Sequence, residues 1–287
     1  MRDFEYFEPS TVSEATSLLA KYQGKAKVIA GGTDLLVEMK QERISPKYLI
    51  NVKTIPHLDY INYDAKEGLR IGALTTIRAL EKSTELRQRY PVISQTASQF
   101  GNIPVRNVAT LGGNLCNAVP SADTAPGLIG LSARAKIVGA DGERIIPLED
   151  FFTGSGKTAL KTGEILVEIQ VPVPPANTKG VYLKYAIRGK SDLPVVGIAV
   201  VVTLEPKDKV CKDIKIVLGN VAPTPMRACS AEEIIRGKRI DEAIIDSCAQ
   251  AASDEAHPRP GSIRASAEYK KAMVKVFTKQ AIKEALA

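Results

Sequence analysis

Lys27-Val28-Ile29-Ala30-Gly31-Gly32-Thr33-Asp34-Leu35-Leu36 reads as a buried strand running into a Gly-Gly turn and out into a helix, and this stretch sets the fold class of the chain. Glycine lets the backbone turn sharply and bring N–H groups up to a ligand with no Cβ in the way, so phosphate is the natural guest of such a turn. Some eighty residues later Thr110-Leu111-Gly112-Gly113-Asn114-Leu115 offers a second Gly-Gly pair after a short apolar segment. Two such loops suit a pyrophosphate held from two sides. Neither fits the G-x-G-x-x-G dinucleotide fingerprint or is followed by the Lys-Ser or Lys-Thr of a P-loop. Gly154-Ser155-Gly156-Lys157-Thr158 ends like one but has Phe151 where the earlier glycine should stand, and reads as a loop.

Around the first loop, Thr11-Val12-Ser13-Glu14 is a capping-box pattern opening a short helix, and Tyr48 to Val52 is a further strand. Leu69 to Leu74 and Ala135 to Gly139 read as strands, Val92 to Gln99 and Ser121 to Leu131 as helices, so strand and helix signals intermingle. Pro172, Pro174, Pro175, Asn177 and Gly180 make the clearest composition break, which puts a domain boundary near residue 176. The expected organisation is an α+β chain, with residues 1–176 in two parts, 1–56 and 57–176, and a smaller unit over 177–287. Val181 to Ile187, Val195 to Leu204 and Cys211 to Leu218 predict a three-stranded antiparallel sheet in that smaller unit. Two helices then close the chain. Ile244, Ile245, Cys248 and Ala252 share a face of the first, and Tyr269, Met273, Val276, Phe277 and Gln280 mark the second.

With 287 residues, 44% hydrophobic and 25% charged, the chain has an ordinary globular composition and enough length for a large core. Its net charge of +7 is spread along the sequence without an interleaved aromatic platform, which argues against nucleic acid and leaves a solvated basic surface or attraction of acidic partners. Cys116, Cys211, Cys229 and Cys248 form no C-x-x-C pair, so no metal or iron–sulfur site is expected. Free cysteines, no secretory leader and no apolar stretch of membrane-spanning length favour a cytoplasmic location. There is no G-x-S-x-G elbow, no H-E-x-x-H and no Cys-His pairing, and His57 and His257 are isolated. No catalytic residue is expected, which leaves chemistry borrowed from a cofactor. Asp123, at the predicted start of a helix, fits either an N-cap or a hydrogen bond to a ribose or ribityl hydroxyl.

Ala30-Gly31-Gly32-Thr33-Asp34-Leu35 and Thr110-Leu111-Gly112-Gly113-Asn114-Leu115, in this order and spacing, resemble the FAD-binding medium subunit of the molybdenum hydroxylases, the family of carbon monoxide, xanthine and nicotinate dehydrogenases. The resemblance runs from Phe4-Glu5-Tyr6-Phe7-Glu8-Pro9 to Gly261 through Tyr269. It implies a two-part FAD domain of the vanillyl-alcohol-oxidase type, followed by a smaller C-terminal domain with a three-stranded sheet and helices. It implies that Lys27, Val28, Ile29, Ala30, Gly31, Gly32, Thr33 and Asp34, with Thr110, Leu111, Gly112, Gly113 and Asn114, line FAD, and that Asp123 adds a polar contact. By the same resemblance Phe100, Leu166 and Lys184 approach the flavin, and Leu193 covers one of its faces where some relatives carry an aromatic residue. The implied partners are a large molybdenum-cofactor subunit and a small iron–sulfur subunit in a dimer of heterotrimers. Electrons would leave FAD for NAD, a quinone or oxygen. Competing expectations are a self-sufficient flavoprotein oxidoreductase and a non-redox assembly module that keeps the fold.

Overall fold

The computed structural model describes residues 2–189, 191–206 and 210–287. The N-terminal stretch forms β1 (Glu5–Phe7), α1 (Val12–Lys21), β2 (Ala26–Ile29), α2 (Leu35–Lys40) and β3 (Tyr48–Asn51). Its sheet has the order β1-β3-β2, with β3 parallel to both neighbours. Thr11 caps α1 by accepting the Glu14 N–H at 3.1 Å, while the Glu14 carboxylate takes the Ser10 N–H at 2.8 Å, a capping box displaced by one residue. β2 is not the buried strand that its apolar run predicts. It is an edge strand, and Val28 stays 38% exposed because this edge borders a cleft.

A second sheet is antiparallel, in the order β4-β5-β10-β6-β7, from β4 (Ile61–Asp64), β5 (Gly68–Gly72), β6 (Arg134–Gly139), β7 (Gly142–Pro147) and β10 (Ile165–Val171). Six helices fall between β5 and β6, namely α3 (Ile77–Lys82), α4 (Thr84–Arg89), α5 (Pro91–Ser98), α6 (Ile103–Val108), α7 (Leu111–Asn117) and α8 (Thr124–Gly130). Thr110-Leu111-Gly112-Gly113-Asn114 is therefore the first turn of α7 rather than a loop, with the Thr110 hydroxyl accepting the Gly113 N–H at 3.1 Å. Glycine is needed at 112 for close approach: a Cβ there would lie 2.8 Å from both Cβ and O of Ala73. The Gly154–Thr158 stretch, expected as a loop, closes a small hairpin of β8 (Phe152–Gly154) and β9 (Lys157–Thr158).

The C-terminal sheet has four strands, not three, in the order β11 (Thr178–Tyr185), β12 (Val196–Leu204), β13 (Cys211–Gly219) and β14 (Met226–Arg227). Two residues are too few for β14 to show an alternation in the sequence. α9 (Cys229–Ile235), α10 (Glu242–Glu255) and α11 (Ala267–Leu286) follow, of which α9 was not expected. This sheet is a middle layer. Along β12, Ala199 and Val201 join the core of α5 and α8, while Ile198, Val200 and Val202 join the core of α10 and α11. Burial on both faces explains why Val195 to Leu204 reads as an unbroken apolar run. In α11 the buried residues are Lys270, Val274, Thr278, Ala281, Ile282 and Ala285, whereas Tyr269 and Val276 are 43% and 51% exposed.

Candidate functional site

Where the first two sheets meet, a cleft of about 350 Å³ opens between β2, the start of α7 and the start of β10. It is lined by Lys27, Val28, Ala30, Gly31, Gly32, Thr33 and Asp34, by Phe100, by Thr110, Gly112, Gly113 and Asn114, and by Leu166. Ile165 and Leu166 both border the cleft, and the β10–β6 register shifts just beyond them, between Leu166 and Glu168. The first loop is seated against the end of α6, since a Cβ on Gly31 would lie 2.2 Å from Val108 O.

The two glycine segments contribute differently. Among the described residues, the N–H groups of Gly31, Gly32, Thr33 and Asp34 donate to no protein acceptor. In the second segment Leu111 N–H reaches Thr75 O at 2.9 Å, Gly112 N–H reaches Ala73 O at 2.8 Å, and Asn114 N–H reaches Thr110 O at 3.0 Å. With Gly113 N–H on the Thr110 hydroxyl, the backbone donors of Leu111 to Asn114 are satisfied. Thus the first loop presents a run of four free backbone donors, whereas the second, with four of its five N–H groups taken up, mainly supplies a close wall. The Asn114 side-chain oxygen accepts from Thr124 Oγ1 at 2.6 Å, which orients the amide and leaves its N–H₂ to donate.

Charge in the cleft favours binding by dipoles. Its ionisable lining includes one lysine, Lys27, against Asp34, Glu38 and Glu164. Glu164 is taken up by Arg144 through bonds of 2.9 and 2.8 Å, and this pairing holds its carboxyl below the usual range. Desolvation in the cleft, then the neighbouring Glu38, pushes Asp34 up. The Cys116 thiol, also on the lining, is pushed up to about 12 by burial and is no thiolate nucleophile. Leu58, Leu74, Leu160 and Ile165, with Phe100 and Leu166, supply apolar lining. Free N–H groups at one end and apolar walls beyond fit a ligand with an anionic bridge and a flat, weakly polar ring system, as FAD has.

Other expected residues lie elsewhere. Ile29 is half-buried and does not line the cleft, and Leu111 is fully buried in the core. Asp123 precedes α8 but makes no capping bond. Its carboxylate instead accepts from Lys184 Nζ and from Tyr182 OH, both at 2.9 Å, in a buried cluster behind the lining. Burial pushes Asp123 up against the pull of Lys184 and Tyr182, and burial beside that carboxylate pushes Tyr182 well up. Leu193 is 44% exposed and does not line the cleft. His57 and His257 are exposed and take no part. The sequence reading missed Leu58, Leu74, Leu160 and Ile165, whose apolar side chains carry no signal to set them apart from core.

Residues 2–174 match the family described as the FAD binding domain in molybdopterin dehydrogenase, and residues 181–285 match the CO dehydrogenase flavoprotein C-terminal domain. The chain is 31% identical to the xanthine dehydrogenase FAD-binding subunit of Escherichia coli O157:H7, over 100% of this chain and 98% of that one. It is 33% identical to the carbon monoxide dehydrogenase medium chain of Hydrogenophaga pseudoflava, over 99% and 97%. A solved structure of carbon monoxide dehydrogenase from Hydrogenophaga pseudoflava superposes with a TM-score of 0.95 at 34% identity, covering 99% of this chain and 98% of that one. The cleft, the two matched regions and the shared fold together make the chain a member of the FAD-binding medium subunits of the molybdenum hydroxylases, the family of the carbon monoxide and xanthine dehydrogenases.

Proposed function

We propose that this subunit is an electron-transfer station: it holds FAD in the cleft, receives electrons from iron–sulfur clusters on a small subunit and passes them to an external acceptor. Substrate would be hydroxylated at a molybdenum cofactor on a separate large subunit, the three chains assembling as a dimer of heterotrimers in the cytoplasm, with NAD, a quinone or oxygen as acceptor. FAD supplies redox chemistry that can take up electrons singly and release them in pairs. The residues of this chain bind and orient it. The N–H groups of Gly31 to Asp34 hold the pyrophosphate, Thr110 and Asn114 offer polar side chains beside it, and Phe100, Leu160 and Leu166 keep water from the ring system.

The observation that carries this reading is the row of four free N–H groups at one end of an apolar cleft with no paired acid and base. It is tested with the purified chain and Gly32→Val. Gly32 has φ +70°, and a β-branched residue there costs roughly 1–2 kcal/mol in the left-handed region and turns the N–H groups away. Wild type should take up FAD and show flavin absorbance, the variant none. Flavin reduction should need the iron–sulfur subunit. Reduction of the isolated chain's flavin by an organic substrate would favour a self-sufficient enzyme, and a wild-type chain that takes up no FAD would end the proposal.

A further inference from the structure

Leu160 walls the cleft from neither a helix nor a strand, but from the turn that joins β9 to β10. Among the described residues, one backbone hydrogen bond has both partners within 159–164, from Glu164 N–H to Lys161 O at 3.1 Å. Beyond it, Ala159 N–H reaches Phe151 O at 2.8 Å, and Thr162 Oγ1 accepts from Gln23 Nε2 at 3.3 Å. Such a turn has little of its own to fix it. β7 and β10 flank β6, and Arg144 on β7 reaches past β6 to the turn. Its Nε and Nη2 donate to Oε1 and Oε2 of Glu164 at 2.9 and 2.8 Å, and Nη2 donates also to Ala159 O at 2.7 Å. Glu164 Oε2 in turn accepts the Lys161 N–H at 2.7 Å. One guanidinium therefore ties both ends of the turn, and through the carboxylate its middle. A planar fork fixes direction as well as distance, and Glu164, only 13% exposed, leaves water little room to compete. Gly139 of β6 keeps the path clear, since a Cβ there would lie 2.9 Å from Glu164 Cγ.

We infer that Arg144 is a positioning residue whose guanidinium holds the 159–164 turn in one shape and so sets the Leu160 wall of the cofactor cleft, a task beyond neutralising Glu164. The inference rests on the cleft being the FAD site. Two variants of the full chain separate shape from charge. Arg144→Lys keeps a cation opposite Glu164 but loses the fork and the bond to Ala159 O. Arg144→Met/Glu164→Gln loses the fork too, yet leaves no carboxylate stranded. Were neutralisation the whole of it, both would bind FAD as wild type does. With the turn unlocked both bind it more weakly, and if the wall is correctly set in only a tenth of molecules the apparent Kd rises about tenfold. Flavin that does bind should show an absorbance band blurred toward that of free FAD, because water reaches the ring system. A further readout needs no flavin: hydrogen exchange at the bonded amides of Ala159 and Glu164 should quicken in Arg144→Lys, with β12 still protected. Adding Leu160→Ala to Arg144→Lys should then weaken binding no further than Leu160→Ala does alone. Unchanged exchange at Ala159 and Glu164, wild-type FAD affinity in either variant, or losses that multiply independently would overturn the lock. A wild-type chain that takes up no FAD would overturn the flavin reading instead, and the exchange result would still decide the lock.

Discussion

Glu164 illustrates how single residues keep this cleft fit for an anion. A carboxylate on the lining would repel a pyrophosphate, but Arg144 takes both of its oxygens, and the Lys161 N–H adds a further bond at 2.7 Å. The pairing lowers its folded pKa, first through the Arg144 hydrogen bonds and despite partial burial. The sign of the linkage follows from that direction. A carboxylate held lower in the folded chain than in the unfolded one adds stability above the unfolded value, about 4.3, and loses it as pH falls through the folded value. Wild type should therefore melt higher than Glu164→Gln at pH 7, and the gap should close as pH drops below about 4. A gap in melting temperature that stays constant from neutral to acid pH would show that the pair contributes nothing through its charge. The sequence pointed to the N–H groups of Gly31 to Asp34 through the pairing of two Gly-Gly segments, since one alone is common in tight turns, and it expected the same of Thr110 to Asn114, where most are taken up inside the protein. It missed this neutralisation, since nothing local to Glu164 announces an arginine twenty residues away.

At the scale of elements, legibility depended on whether one face or two were buried. α10 was readable because Ile245, Cys248 and Ala252 are buried at helical spacing beneath a polar outer face. β10, the centre of the five-stranded sheet, was not expected, because its run from Ile165 to Val171 carries Glu168 and ends in the proline-rich break. α11 was placed correctly but its face was only partly read. Of its bulkiest residues Met273 and Phe277 pack half-buried against the core, but Tyr269 and Val276 do not, and the fully buried positions are Val274, Ala281, Ile282 and Ala285 together with Lys270, whose ammonium reaches Asn220 O at 2.7 Å. Small residues face inward because the helix lies close on the sheet. The two orientations make opposite predictions for neighbouring valines. Val274→Ala, at a fully buried site, should cost roughly 1.5 kcal/mol at about 0.8 kcal/mol per methyl group lost, plus any cavity. Val276→Ala, half exposed, should stay within about 0.5 kcal/mol of wild type. Urea unfolding of both variants decides it, and equal losses would return the helix to the face that the sequence suggested.

For the whole molecule, the proline-rich break near residue 176 marks a change in sequence without marking a gap in packing. Gly127 of α8 sits where a Cβ would meet Val92 and Thr96 at 2.9 Å, Gly130 faces Val201, and Gly180 of β11 sits where a Cβ would lie 2.5 Å from Val92. Tyr182, Ala199, Val201 and Val217 belong to the same core as α5 and α8, and the Asp123–Lys184 pair crosses the same seam. Cutting the chain there would expose that apolar surface and leave Asp123 without its cation, a loss that removal of one partner of a buried pair makes severe, roughly 3–5 kcal/mol. Residues 1–176 expressed alone should therefore give no sharp thermal transition and take up no FAD, although they carry both glycine segments. The full chain should melt in one transition that rises with added FAD, because a ligand at about a hundred times its Kd adds roughly 2.7 kcal/mol to the folded state. A truncated chain that melted cooperatively and bound FAD as tightly as the intact one would mean that the first two sheets hold the cleft unaided, and that the sheet of β11 to β14 serves some purpose other than bracing it.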